Sequence, residues 1–346
     1  MAWGWVAGMS KALAHVEIVE VDPKDDAALR EFHEVEQSAI VEDRPDQLSR
    51  SFDALANSVR HPNPYRSSTL LTALVDGAVV GTAQLDLELQ DNQHLAGSEI
   101  NVAPVFRRRG IGRALHDEVT TRRRAAGRPS IIGEVYVVGD SSAGFEFATA
   151  LGYRSAHVEA HLVLDLPPSV EALDALAARA EPALASYEIV TWGDRSPDEY
   201  AEAYCAMKTQ MADDVPTGEL DHEPIVVDLD RLRTTEERTA RSYHQLIAAA
   251  RRTSDGTMSG YSQMFLPHGE GHVIQDDTLV MPDHRGHRLG TALKLANLRA
   301  VLDEHPERQR VHTWTALGNE AMLRTNADFG FRQAELMHEM QLEDPR

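Results

Sequence analysis

Val102-Ala103-Pro104-Val105-Phe106-Arg107-Arg108-Arg109-Gly110-Ile111-Gly112-Arg113-Ala114-Leu115 returns 178 residues later as Val280-Met281-Pro282-Asp283-His284-Arg285-Gly286-His287-Arg288-Leu289-Gly290-Thr291-Ala292-Leu293. The two stretches share the Val and Pro of the approach, the Arg three residues after Pro, a later Gly, and the Ala-Leu that follows. The same offset pairs Gly152-Tyr153 with Gly330-Phe331. A constant register across separated features marks an internal repeat. The starts of the halves also match: His15-Val16-Glu17-Ile18-Val19 resembles Ser186-Tyr187-Glu188-Ile189-Val190 at an offset of 171. The second half therefore carries seven extra residues before its loop. Pro167-Pro168 and an Ala-rich helical stretch to Ala185 separate the halves. The expected division is a domain over 15–166, a connector helix over 167–185 and a second domain over 186–346.

Outward from the first loop, Thr69 to Val75 reads as a strand, Asp76-Gly77 as a hairpin turn and Ala78 to Leu89 as the returning strand. Ser98 to Val102 is a third strand. A helix follows from Gly112 to Arg124, with Arg122, Arg123 and Arg124 in its last turn, where cations suit the helix dipole. Ser130 to Val138 reads as a strand, Ser141 to Leu151 as a helix and Ser155 to Leu166 as a closing strand. Near the two starts, Ala27–Ala39 and Pro197–Met211 read as helices. The fold class is α/β, in the α+β sense of helices covering a mixed sheet, built twice.

At 346 residues the chain suits two domains. Its net charge of −21 excludes a duplex nucleic-acid binder, which needs a basic face. The same acidity favours cationic small molecules such as polyamines or aminosugars, or serves solubility alone. Cys205 is the single cysteine, so no internal disulfide forms, and its apolar helical setting predicts a buried structural thiol. No Cys/His set has zinc spacing, so no metal is expected. The Gly-rich run before Ala14 lacks a basic leader and no stretch is long enough to span a membrane, so a cytoplasmic protein is expected.

The chemistry concentrates at the loop. A strand leads through Pro104 into a Gly- and Arg-rich turn and then a helix. Successive backbone N–H groups and the free donors of a helix start can converge on a phosphate there, and arginines add charge. A dinucleotide site is excluded by the absence of a third, correctly spaced glycine and of a placed acidic ribose partner.

Val102-x-Pro104-x-x-Arg107-x-x-Gly110-x-Gly112 resembles the acyl-CoA loop of the GNAT acetyltransferase superfamily. Phe147 to Tyr153 resembles its second signature, as does Asn319 to Phe331 in the second half. The resemblance covers both halves, as in tandem members of the superfamily, mycothiol synthase among them. It implies two domains, each a mixed, mostly antiparallel sheet flanked by helices. It further implies acetyl transfer from acetyl-CoA, as acyl donor, to a small-molecule amine, in a monomer or homodimer without nucleic-acid or membrane partners. Under it, Arg107, Arg108, Arg109, Gly110, Ile111, Gly112, Arg113 and Ala114 bind the CoA pyrophosphate. Ile100, Asn101 and Val102 face pantetheine from a splayed strand, and Ser141 lines the other side. In the second half the corresponding set is Val280, Arg285, His287, Arg288, Leu289, Gly290, Thr291 and Asn319.

A general base must take the amine proton. Glu99 occupies a common position for it, and Glu134 on the next strand is the second candidate; either also reads as an ordinary surface carboxylate. In the second half Asp277, with Asp276 beside it, and His312 hold the matching positions. The tyrosine that many members use as general acid is absent: Ala148 and Asn326 stand there. Tyr136 is a substitute, or a core aromatic. Arg288 replaces Gly110 in register, where a side chain either crowds the phosphate or adds a cation. The first half is therefore the expected acetyl-CoA binder. A non-catalytic acyl-CoA sensor on the same fold is the alternative.

Overall fold

A computed structural model describes residues 15–42 and 44–344. The N-terminal run before residue 15, read above for targeting, lies outside them. In chain order the first repeat runs β1 (Glu17–Glu20), α1 (Asp26–Val41), α2 (Phe52–Arg60), β2 (Arg66–Val75), β3 (Ala78–Glu88), β4 (Leu95–Val102), α3 (Ile111–Ala125), β5 (Ser130–Val137), α4 (Ala143–Ala150) and β6 (Arg154–Asp165). After α5 (Val170–Leu184) the second repeat gives β7 (Tyr187–Trp192), α6 (Asp198–Asp214), α7 (Leu229–Thr239), β8 (Tyr243–Arg252), β9 (Met258–Pro267), β10 (His272–Val280), α8 (Leu289–Glu304), β11 (Arg310–Ala316), α9 (Glu320–Phe329) and β12 (Arg332–Glu343). The element order is the same in both, with a single 3-10 turn before α3 and before α8.

Most helices begin where a short polar side chain takes an otherwise unpaired N–H. Asp25 accepts from Ala27 and Ala28, Ser51 from Ala54, Ser142 from Phe145, Ser169 from Ala172, Asp228 from Arg231 and Asn319 from Met322. Helices α3 and α8 break this pattern. They start on residues in the left-handed backbone region, with no side-chain cap.

The chain forms two compact units. One runs to Ser49 and resumes over Pro62–Ile131; the other holds Arg50–His61 and Ile132–Arg346. In the first, β1, β2, β3 and β4 form an antiparallel meander. Helix α3 lies close on β3 because residue 81 is glycine: a Cβ there would come 3.0 Å from Ile111 and 3.1 Å from Leu115. In the second unit the strand order is β5-β12-β6-β11-β10-β9-β8-β7. Its β10–β11 pair is parallel, while β6 is antiparallel to both β11 and β12. Each repeat's closing strand therefore lies beside the penultimate strand of the other repeat. Helix α2 belongs to this unit because Asn57 donates to Arg241 O and Ser242 Oγ, both at 3.1 Å.

Helix α5 packs Leu176, Ala180 and Ala183 with Leu289, Leu293 and Leu298 of α8 and with Phe329 in one buried cluster. The sequence read α5 as a connector; the structure makes it part of the core.

Candidate functional site: two phosphate-ready loops and a polar sheet centre

The two loops share one backbone. After each 3-10 turn the chain visits the left-handed region twice: Arg108 (φ 63°) and Gly110 (φ 83°) in the first, Gly286 (φ 82°) and Arg288 (φ 59°) in the second. The offset of 178 aligns Arg108 with Gly286 and Gly110 with Arg288. Each loop thus has one glycine and one arginine at its two left-handed positions, in opposite order. A non-glycine residue there costs about 1–2 kcal/mol, and each loop bears it once. Arg288 takes the left-handed conformation that Gly110 has in the first loop.

Among the described residues, the main-chain N–H groups of 108–113 and 286–291 have no protein acceptor. Each loop presents a run of unpaired donors at the positive end of a helix, which favours an anion. The acyl-CoA pyrophosphate fits this donor set.

Arg107 and Arg285 brace the loops. Arg107 Nε donates to Val102 O at 3.3 Å and its Nη2 to Ala39 O at the end of α1, at 3.1 Å. Arg285 repeats this with Val280 O at 3.1 Å and with Asp214 at the end of α6. Their main-chain N–H groups also turn inward, to Pro104 O and Pro282 O. Arg109 donates to Val105 O at 2.9 Å.

Beside the second loop lies a cavity of about 600 Å³, lined by Arg179 of α5, Arg288, and Arg324 and Asp328 of α9. Arg179 pairs with Asp328, and Arg324 with Glu320 at 3.1 Å. Arg288 therefore stands in the wall of this cavity with two other arginines. Arg179 and Arg324 were missed because α5 and α9 carry no glycine signature at those positions.

Strands β10 and β11 pair over His272–Ile274 and Arg310–His312 and then part, β10 running to Val280 and β11 to Ala316. The parting exposes the backbone edge of β10 just before the loop.

Glu99 is exposed and accepts from Asn101 Nδ2 at 2.9 Å. Glu134 accepts the Tyr136 hydroxyl at 2.8 Å, which brings the candidate base and the candidate acid together. Asp277 is held by Lys208 Nζ at 2.7 Å and by the Tyr261 hydroxyl at 2.6 Å, so its lone pairs are committed to an ion pair. His312 joins a buried chain: its Nδ1 meets His161 Nε2 at 3.0 Å, and His161 Nδ1 meets Glu335 at 2.8 Å. Two imidazoles and a carboxylate thus form one hydrogen-bonded chain across β6, β11 and β12. Ser141 is exposed, next to the α4 cap Ser142. The Asn319 side chain caps α9, and Asn326 is buried and donates to Thr315 Oγ1 at 3.0 Å. Cys205 is buried, and desolvation raises its thiol.

Two carboxylates escaped the sequence reading. Burial, with repulsion from Glu134, raises Glu159 of β6 to about 7; the same causes raise Glu339 of β12 to about 7. Ionisable residues at alternate positions in a strand were the available signal.

The family model for GNAT acetyltransferases matches residues 28–153. The match lies wholly within the first repeat. The whole chain shares its fold with a tandem GNAT protein from the clavulanic acid biosynthesis pathway, at 26% identity, TM-score 0.79, over 96% of this chain and 99% of that one. A GCN5-related N-acetyltransferase from Sphaerobacter thermophilus matches at 16% identity, TM-score 0.64, over 95% and 96%. No curated protein sequence matches the chain. The fold is thus two tandem GNAT folds, one per repeat. Among the described residues no helix is long and apolar enough to cross a membrane, and no cluster of His, Cys, Asp or Glu is arranged to hold a metal.

Proposed function

We propose that the protein is an acetyl-CoA-dependent N-acyltransferase that acts on a primary amine of a small, cationic metabolite. The observation that carries this reading is the pair of uncapped loops, each with six unpaired N–H groups at a helix start. Residues 15–166 and 186–346 are the two catalytic-fold repeats on either side of the connector, and both loops bind acyl-CoA. The residues from Arg108 to Ala114 and from Gly286 to Thr291 hold phosphate, with Arg107 and Arg285 as braces. The protein works in the cytoplasm.

Transfer is direct. The neutral amine attacks the thioester carbonyl, the C–N bond forms, and the C–S bond breaks to release CoA thiolate. Glu134 takes the amine proton and the Tyr136 hydroxyl supplies one to the thiolate, in place of the absent tyrosine; Glu99 is the second base candidate. A covalent enzyme intermediate has no nucleophile to use, because the Cys205 thiol is buried and its pKa raised.

The absent tyrosine favours one other reading, an acyl-CoA sensor. Thiol release from acetyl-CoA with a panel of amines separates them. Amine-dependent release with Glu134→Gln at least tenfold slower supports the enzyme; acetyl-CoA binding without any amine-dependent release rejects it.

A further inference from the structure

The cavity beside the second loop reverses the sign of the molecule's charge. The chain carries a net charge of −21, yet this wall holds the guanidiniums of Arg179, Arg288 and Arg324 against one carboxylate, Asp328. Among the described residues the Arg288 side chain has no hydrogen bond and no ion pair. Arg324 pairs with Glu320, but the two side chains are 71% and 79% exposed, and an exposed pair one helical turn apart holds weakly. Arg179 pairs with Asp328, each nearly half exposed. A guanidinium has five donors, so that one pair leaves others to spend.

The cavity adjoins the donors of the loop. Arg288 is the residue on which α8 starts, and it belongs to the run 286–291 whose N–H groups have no protein acceptor. A volume of about 600 Å³ is that of a small-molecule site. It gives room for a nucleoside and for a phosphate beyond those that the loop takes. The first repeat does not carry the same cations. At the offset of 178, Gly110 stands for Arg288, Glu146 for Arg324 and Ala150 for Asp328. Arg179 comes from α5, which lies between the repeats.

We propose that the second loop selects CoA by its ribose 3′-phosphate, and that Arg179 of the connector helix and Arg324 of α9 read that phosphate. The proposal rests on the acyl-CoA reading of the loops and names what the second one discriminates. The pyrophosphate uses the N–H groups at the start of α8. The 3′-phosphate is a monoester, with about two negative charges at pH 7 and three free oxygens. Paired guanidiniums match such a group in charge and in fork geometry, and a charge-assisted bond to it outcompetes exposed carboxylate pairs. The apolar part of the wall, Ala178, Pro182 and Ala327, offers a surface to the nucleoside between the two phosphate positions.

The test is calorimetric titration of the full chain with CoA and, separately, with 3′-dephospho-CoA. The wild-type protein is expected to bind 3′-dephospho-CoA at least tenfold more weakly than CoA at one site, the scale of a charge-assisted hydrogen bond. The Arg179→Gln/Arg324→Gln double variant should bind CoA at least tenfold more weakly at that site and 3′-dephospho-CoA as the wild type does. Arg324→Gln alone changes an exposed side chain that the fold does not need, and it should lose affinity for CoA only, by a smaller factor. Equal affinity of the wild-type protein for the two ligands overturns the proposal. So does a double variant that keeps the full discrimination, or one that loses both ligands alike, which is the mark of a structural role. Failure of CoA itself to bind would instead overturn the acyl-CoA reading, so the two failures are distinguishable.

Discussion

Replacing Glu159 by Gln removes an ionisable group that the fold holds against its preference for charge. Its pKa is raised from 4.5 to about 7, by burial first and by Glu134 second. Each unit is worth about 1.4 kcal/mol, so this shift amounts to about 3 kcal/mol. Water at the 21% of the side chain that stays exposed screens it to about 2 kcal/mol. The native pKa lies above the unfolded one, so between pH 4.5 and 7 the native state holds a proton that the unfolded chain has lost. The stability this provides is complete below about pH 4.5, declines through the interval, and is gone above pH 7. Glutamine is neutral throughout and nearly isosteric. Glu159→Gln should therefore match the wild type near pH 4.5 and be more stable at pH 8, by about 3 °C in Tm for a chain of this size. Thermal melts of both proteins at the two pH values check this. An equal gain at both, or a loss at pH 8, would refute the electrostatic account and show that Glu159 is balanced by a group of the protein.

Four further outcomes are expected. Gly110→Glu forces a side chain into a φ of 83° and a carboxylate toward the phosphate; the number of acetyl-CoA sites per chain measured by calorimetry should fall by one, and an unchanged number would sink the loop assignment. Arg288→Gly relieves about 1 kcal/mol of left-handed strain, so Tm should hold or rise while CoA affinity at the second loop drops; a falling Tm with affinity intact would contradict both halves of the argument. Cys205→Ala should leave turnover unchanged, and loss of turnover with the fold retained would point to a covalent intermediate. Lys294 is buried beside Phe329 and Phe331, and desolvation lowers it from 10.5 to about 7. Its charged form is favoured in the unfolded chain, so stability declines as pH falls from 10.5 to 7, and Lys294→Met should raise Tm at pH 7 but little at pH 10.5.

What could be read from the chain was local. The loops announce themselves through Gly, Pro and Arg at fixed spacing, and the helix predicted from Gly112 to Arg124 is Ile111–Ala125. The strand at Thr69–Val75 is real and begins earlier, at Arg66. Helices α2 and α7 were missed: both are short, and Ser51 and Asp228 were the available start signals. The swapped order of glycine and arginine in the two loops was visible as letters but not as conformation. An arginine in the left-handed region is uncommon, and only the neighbouring backbone selects it. Strands β6 and β12 carry ionisable side chains along much of their length. They lie in the middle of a sheet because each strand chose a neighbour from the other repeat, and nothing in a strand's own alternation encodes that choice.

That choice ties the chemistry to the duplication. His161, on the closing strand of the first repeat, bonds Glu335 and His312 of the second. Glu159 and Glu339 reach one face from strands of different repeats. A single repeat would keep its loop and its unpaired N–H groups, since those depend on a strand, a turn and a helix that are contiguous in sequence. It would lose the pairing partners of its last strand, and with them that shared face. The run of unpaired N–H groups is thus a property of each repeat, while the meeting of Glu159 and Glu339 on one face is a property of the pair. The sequence divergence follows the same line: both loops retain their two left-handed positions, whereas at the offset of 178 Glu159 aligns with Met337 and Glu339 with His161. The face shared by β6 and β12 is asymmetric because it is built once, and the loops are alike because they are built twice.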